Sequence, residues 1–157
     1  MIMRWEKGRA VVDQLISEGR VDKVAASREL ADLMLARATR HLQTAVEIAS
    51  VDPTAAFQTA YDGARKAMAA ILANQGLRAT TAGGAHSVLL DVCMAQLDPP
   101  MGSTLRNFDW MRRTRNSAEY PTLDQPEIDE VDVADAIRFG TEIVDLAGQV
   151  LDSMPVY

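Results

Sequence analysis

One stretch of the chain limits its fold more than any other. Between Asp52-Pro53 and Gly76, apolar side chains recur as Phe57, Ala60, Tyr61, Ala64, Met68, Ile71 and Leu72. Spacings of three and four place all of them on one face of an α-helix. The ends carry matching signals. Asp52 can accept from the first free backbone N–H groups, Pro53 fits the first helical position, and Gly76 can take the left-handed conformation that closes a helix. So wide an apolar face must be covered by other elements.

The flanking sequence supplies them. Ser27 can cap a helix with Leu30, Met34, Ala38, Leu42, Ala45 and Ala49 inward, ending before Asp52-Pro53. A loop through Thr80, Thr81, Gly83 and Gly84 leads into a shorter helix at about Ala85–Leu97, stopped by Asp98-Pro99-Pro100. Ser103 or Thr104 can cap a further segment from Leu105 to about Glu119, and Pro121 disfavours helical geometry at Tyr120. Beyond a loop marked by Pro126 and Asp129, a last helix is predicted from about Glu130 to Asp152, with Val133, Ile137, Val144, Ala147 and Leu151 inward. Arg9–Ile16 predicts a short extra helix ended near Gly19. No alternating strand pattern competes.

The expectation is an all-α bundle of four long helices plus one or two short ones. It forms a single domain over residues 1–157, with a short N-terminal extension of about 1–26. The abundant Ala on the two early helices allows interhelical approach toward the short end of about 8–10 Å. The same small faces suit a helix-on-helix dimer, and the pattern alone does not separate the two.

Charge narrows the function classes. With 16 Lys+Arg against 22 Asp+Glu, the chain carries −6, which argues against a general basic coat for nucleic acid. The lone Cys93, between Val92 and Met94, reads as a small core residue. His41 and His86 lie far apart with no Cys near either, so no metal site and no cofactor is expected. The start, Met1-Ile-Met-Arg-Trp-Glu, lacks an apolar run of signal-peptide length. The longest apolar stretch, Ala67–Ala73, falls far short of the about 20 residues of a membrane span. A cytoplasmic protein with no membrane contact is expected.

The chemistry gathers in Leu105–Tyr120. Arg106, Arg112, Arg113 and Arg115 face only Asp109 and Glu119, so this segment carries +2 and the rest of the chain −8. On a helix Arg106, Asp109, Arg113, Asn116 and Tyr120 share one face, and Arg112, Arg115 and Glu119 another. Asp109 with Arg113, and Arg115 with Glu119, can form ordinary four-residue ion pairs worth a few tenths of a kcal/mol. A solvated, paired helix explains the charges without function. It does not explain the choice of Arg over Lys, nor Asn and Tyr on the same face. Arg suits bidentate phosphate contact, and Tyr can stack on a base.

The stretch Arg113-Thr-Arg115-Asn116-Ser-Ala-Glu-Tyr120 resembles the signature of the HEPN superfamily. Ala56 to Gly76 is similar to the family's second long helix, and Gly84-Ala-His86 to the start of its next one. Together these resemblances cover about Ser27 to Asp152. They imply an antiparallel helical bundle that pairs into a homodimer. They also imply that an Arg and a His, spaced R-x4-6-H on each subunit, meet at the interface and cleave RNA without metal. A further implication is a place in a toxin–antitoxin or defence module, as toxin or antitoxin, beside a cognate partner such as a nucleotidyltransferase.

This sequence departs from that motif, because Tyr120 stands where the His belongs, after either Arg113 or Arg115. Tyr titrates near 10 and is a poor general base, whereas His titrates near 6.5. The candidate catalytic set is therefore Arg113, Arg115, Asn116 and Tyr120, and the candidate nucleic-acid set Arg106, Arg112, Arg113 and Arg115. A non-catalytic binding protein or antitoxin of the same fold is the alternative. His86 reads as a surface or packing residue, His41 as solvent-exposed, and Asp62, Arg65 and Lys66 as a mixed solvent face. Trp110 reads as a core or interface anchor.

Overall fold

A computed structural model describes residues 5–81 and 84–157. Residues 1–4, on which the reading of the chain start partly rests, and Gly83 of the expected loop lie outside the described residues. Six helices and one two-stranded ribbon follow in the order α1 (Arg9–Ser17), β1 (Val21–Lys23), α2 (Arg28–Ile48), α3 (Pro53–Gln75), β2 (Leu77–Ala79), α4 (Ala85–Leu97), α5 (Gly102–Glu119) and α6 (Glu130–Leu151). The protein is an all-α helical bundle.

The long apolar face read from the sequence is its axis. α3 packs most extensively on α2 and next on α6, and also meets α4 and α5. Phe57, Ala60, Tyr61, Ala64, Met68, Ile71 and Leu72 are all buried. The end signals work as the sequence predicts. Asp52 accepts from the backbone N–H of Ala55, Pro53 opens the helix, and Gly76 closes it at φ 83°. Ser27 accepts from the N–H of Leu30. Asp129 and Asp132 form a reciprocal capping box on α6.

The turn at Asp52 returns α3 along α2. The helices therefore run antiparallel, with Ala31 near Ala70 and Ala73 at one end and Gly63 against Ala38 and Leu42 further along. A Cβ at Gly63 would come within 3.0 Å of the Ala38 carbonyl oxygen, so the crossing is close because the residue is small.

Four local expectations change. Leu30 points outward and Ala31 takes the buried place, because the first turn of α2 approaches Ala70, Ala73 and Leu151 too closely for a larger side chain. Ile137 is only partly buried, against the core's edge. α5 begins at Gly102 rather than at a Ser103 or Thr104 cap, and its N-cap residue, Met101, makes no side-chain cap. The Asp98 carboxylate lies where a Cβ at position 102 would stand, and an anion there complements the helix dipole. Finally, β1 pairs antiparallel with β2, Val21 opposite Ala79 and Lys23 opposite Leu77. Three residues per strand are too few to show alternation, and the pairing joins segments more than fifty residues apart. It ties the N-terminal stretch into the fold, and α1 packs on α4.

Phe108 joins this core to the Arg-rich helix. It is fully buried and stacks on Tyr61, with ring centroids 5.1 Å apart and planes 13° from parallel. Trp110 meets Phe57 and Phe139 edge-on at 5.5 and 5.6 Å, which makes it a core anchor. Phe108→Ala removes the aromatic stack on Tyr61 that ties α5 to α3. We expect a loss of about 3–5 kcal/mol of unfolding free energy, read from urea denaturation.

Candidate functional site

The site forms where α4 begins beside the second half of α5. Gly84, at φ 85°, makes the turn into α4 with no side-chain cap on its first turn. The Ser87 hydroxyl donates to the Gly84 carbonyl. A cleft of about 330 Å³ opens here, lined by Thr81, Gly84, Ala85, His86, Ser87, Arg112 and Asn116. His86 and Arg112, twenty-six positions apart, thus share one concave surface.

Tyr61 is the hinge pin of this arrangement. Its ring is buried against Phe108, and its hydroxyl lies 2.7 Å from Nδ1 of His86. The Arg115 guanidinium carbon sits 5.6 Å from the Tyr61 ring centroid, a cation–π placement. Burial pushes the Tyr61 hydroxyl up to about 12, against the opposing pull of Arg115, Arg65 and Arg112. Tyr61 therefore keeps its proton. A phenol that keeps its proton is favoured as the donor to Nδ1. Neutral His86 then carries its own proton on Nε2.

The same surroundings keep His86 neutral. Desolvation lowers its pKa below the ordinary 6.5, and Arg65 and Arg115 add to the effect, with Asp62 opposing them. His41 is likewise lowered, by desolvation and then by Lys66, and is only partly exposed. It stands apart from the cleft lining.

The sequence-predicted residues divide by position. Arg112 and Asn116 line the cleft, and Arg115 lies behind it on Tyr61. Arg113 and Arg106 have side chains 69% and 62% exposed, against 28% and 26% for Arg112 and Arg115. Tyr120, 77% exposed, is not among the residues lining the cleft.

All four Arg carry a carboxylate. Asp109 holds both Arg112 and Arg113, at 2.9 and 3.0 Å, and Glu119 holds Arg115 at 2.8 Å. Asp98, from outside the segment, holds Arg106 at 3.1 Å. The Arg112 Nε is buried and has no hydrogen-bond partner among the described residues. His86, read from the sequence as a packing residue, is the site member that sequence reasoning missed. Its only advance signal was its place just after Gly84, at the start of a helix.

Among the described residues, no group of three His, Cys, Asp or Glu side chains could hold a metal ion. No described helix is long and apolar enough to cross a membrane. Cys93 is fully buried, and burial pushes its thiol up to about 12, so it is unreactive. No protein-family model, curated protein or solved structure matches the chain.

Because the folded-state pKa of His86 lies below the unfolded one, the unfolded chain binds this proton more readily. The stability tied to neutral His86 is present above about pH 6.5 and is lost as pH falls from there toward the lower folded value. We expect an NMR titration of His86 to give a midpoint below 6.5. In the wild type, ¹⁵N shifts should show the proton on Nε2. In Tyr61→Phe, which removes the donor to Nδ1, they should show a mixture of tautomers.

Proposed function

We propose that the protein is a HEPN-type, RNA-directed module of a toxin–antitoxin or defence system, cleaving RNA without metal. The observation that carries this reading is His86 in one cleft with Arg112 and Asn116, backed by Arg115. The R-x4-6-H spacing lacks its His, and α4 brings an imidazole to the Arg helix from another direction.

The chemistry fits these groups. The 2′-hydroxyl of a nucleotide attacks its own phosphate, the P–O5′ bond breaks, and a 2′,3′-cyclic phosphate forms. Arg112 and Asn116 meet the phosphoryl oxygens, and Arg115 adds positive charge behind them. The 2′-proton passes to water. The departing 5′-oxygen takes a proton from water and accepts a hydrogen bond from the Nε2–H of neutral His86. The protein acts as a homodimer, with Arg113 on the exposed side of α5 and Tyr120, Leu123 and Val131 exposed in and beyond the following loop. A nucleotidyltransferase or other product of a neighbouring gene is its cognate partner.

A second reading is favoured by one observation, the carboxylate on every Arg of α5. In that reading the helix is already neutralised, and the protein is a non-catalytic binder or antitoxin that neutralises a partner by protein contact.

Purified protein with single-stranded RNA in excess EDTA separates the two. We expect cleavage to 2′,3′-cyclic phosphate ends, reduced by about 100-fold or more in His86→Ala and in Arg112→Ala. Circular dichroism should stay unchanged in both, and Tyr120→Phe should cleave normally. If the wild type neither cleaves RNA nor slows growth on expression, the catalytic reading fails. Relief of a neighbouring gene product's toxicity then supports the second.

A further inference from the structure

A second and larger hollow adjoins the cleft. It has a volume of about 520 Å³ and lies between the start of α2, the middle of α3, β2 and α4. Its body is aliphatic, with Leu30, Met34, Ala69, Leu72, Leu77 and Leu89 in the wall. Leu30 stays 47% exposed on α2, an apolar side chain left uncovered beside the hollow. Thr81, Ala85 and His86 line both the hollow and the polar cleft, so the two share a wall.

The polar side chains of the lining have one character. Arg65, Arg78, Thr80, Thr81 and His86 can all donate hydrogen bonds, and the described lining residues include no carboxylate or carboxamide. Thr80 already donates to the Gly19 carbonyl. The two Arg are lightly held: Arg65 meets Asp62, and Arg78 meets Asp22, each at 3.4 Å. The Arg78 contact is exposed, and the Arg65 contact is part-buried and runs from both Nε and Nη2 to one carboxylate oxygen. Both are long, so each guanidinium retains unused donors. His86 offers Nε2–H, its Nδ1 being taken by Tyr61.

Size and lining match those of small-molecule sites, which run about 300–1,000 Å³ and pair apolar walls with a few convergent polar groups. Among the described lining residues, no aromatic side chain besides the His86 imidazole can stack on a nucleobase, and no carboxylate or amide can read its donor edge. We propose that this hollow is a binding site for an aliphatic carboxylate of medium chain length. The chain lies among the leucines and alanines, and the carboxylate faces Arg65, Arg78 and His86. The proposal goes beyond the RNA reading and does not depend on it.

The test uses the whole protein and decanoate, kept below its micelle concentration, with calorimetry and NMR as readouts. We expect saturable one-to-one binding. Decanol, which has the chain without the charge, should bind about tenfold more weakly. Arg65→Gln should bring decanoate close to decanol while leaving decanol unchanged. Ala69→Phe, which fills the hollow, should abolish binding of both. Leu30→Asp places a carboxylate on an already exposed position, so it should fold normally and weaken decanoate more than decanol. The bound carboxylate should also raise the His86 titration midpoint.

Three results overturn the proposal. One is absence of saturable decanoate binding to folded wild type. Another is binding that Ala69→Phe, Arg65→Gln and Leu30→Asp leave untouched. The third is a wild-type dimer that ignores decanoate and dissociates in Leu30→Asp, which assigns the hollow to a second copy. None of these measurements contains RNA, so their failure leaves the cleavage reading standing.

Discussion

The site depends on a single buried phenol. Tyr61 belongs to the core by its ring, which lies flat on Phe108, and to the surface by its hydroxyl, which reaches His86. A buried hydroxyl without a partner is costly, so the core and the first turn of α4 are fixed relative to each other by the need to satisfy it. The ring also offers its face to Arg115. Three elements are thereby registered on one side chain: α3 through the backbone, α4 through the hydrogen bond, and α5 through both the stack and the cation. An imidazole held this way has a defined tautomer and little rotational freedom, the condition for a preorganised polar site.

That cluster explains what the sequence shows and what it hides. Tyr61 is legible as a core residue, because it falls on the stripe from Phe57 to Leu72. The helix ends are legible for the same local reason: Asp52-Pro53, Gly76, Ser27 and Asp129 each act on backbone groups a few positions away. The Arg of α5 are legible as a charge concentration. What no local pattern carries is the meeting of His86 with Tyr61, twenty-five positions apart, or with Arg112, which lies beyond the rest of α4, a loop and the first half of α5. The outward turn of Leu30 is hidden likewise. It follows from how closely Ala31 approaches α3, and Leu30 and Ala31 look alike to a periodicity argument. The ribbon of Val21–Lys23 with Leu77–Ala79 is invisible because its pairing is long-range and its strands are short.

Electrostatics alters the meaning of the charge map. A segment of +2 in a chain of −6 suggests an open cationic groove, yet the carboxylates of Asp98, Asp109 and Glu119 sit on its Arg. Such partly exposed pairs contribute about 0–1 kcal/mol, less than a charged phosphate contact can return. The pairs therefore hold the guanidinium groups in place without barring exchange for a phosphate. Asp109 shows this best. It holds Arg112 toward the cleft and Arg113 toward solvent, so one carboxylate sets the direction of two cations.

His86 stands where two chemistries meet. On one side is the cleft with Arg112, Asn116 and Ser87; on the other is the aliphatic hollow with Arg65 and Arg78 at its polar edge. Its low pKa comes first from desolvation, to which an apolar wall contributes, and then from Arg65 and Arg115. Filling the hollow with an uncharged chain removes more water and favours the neutral ring. Placing a carboxylate beside it favours the charged one. The protonation state of the one imidazole in the cleft is therefore set in part by what occupies the neighbouring hollow, with Thr81 and Ala85 completing the shared wall.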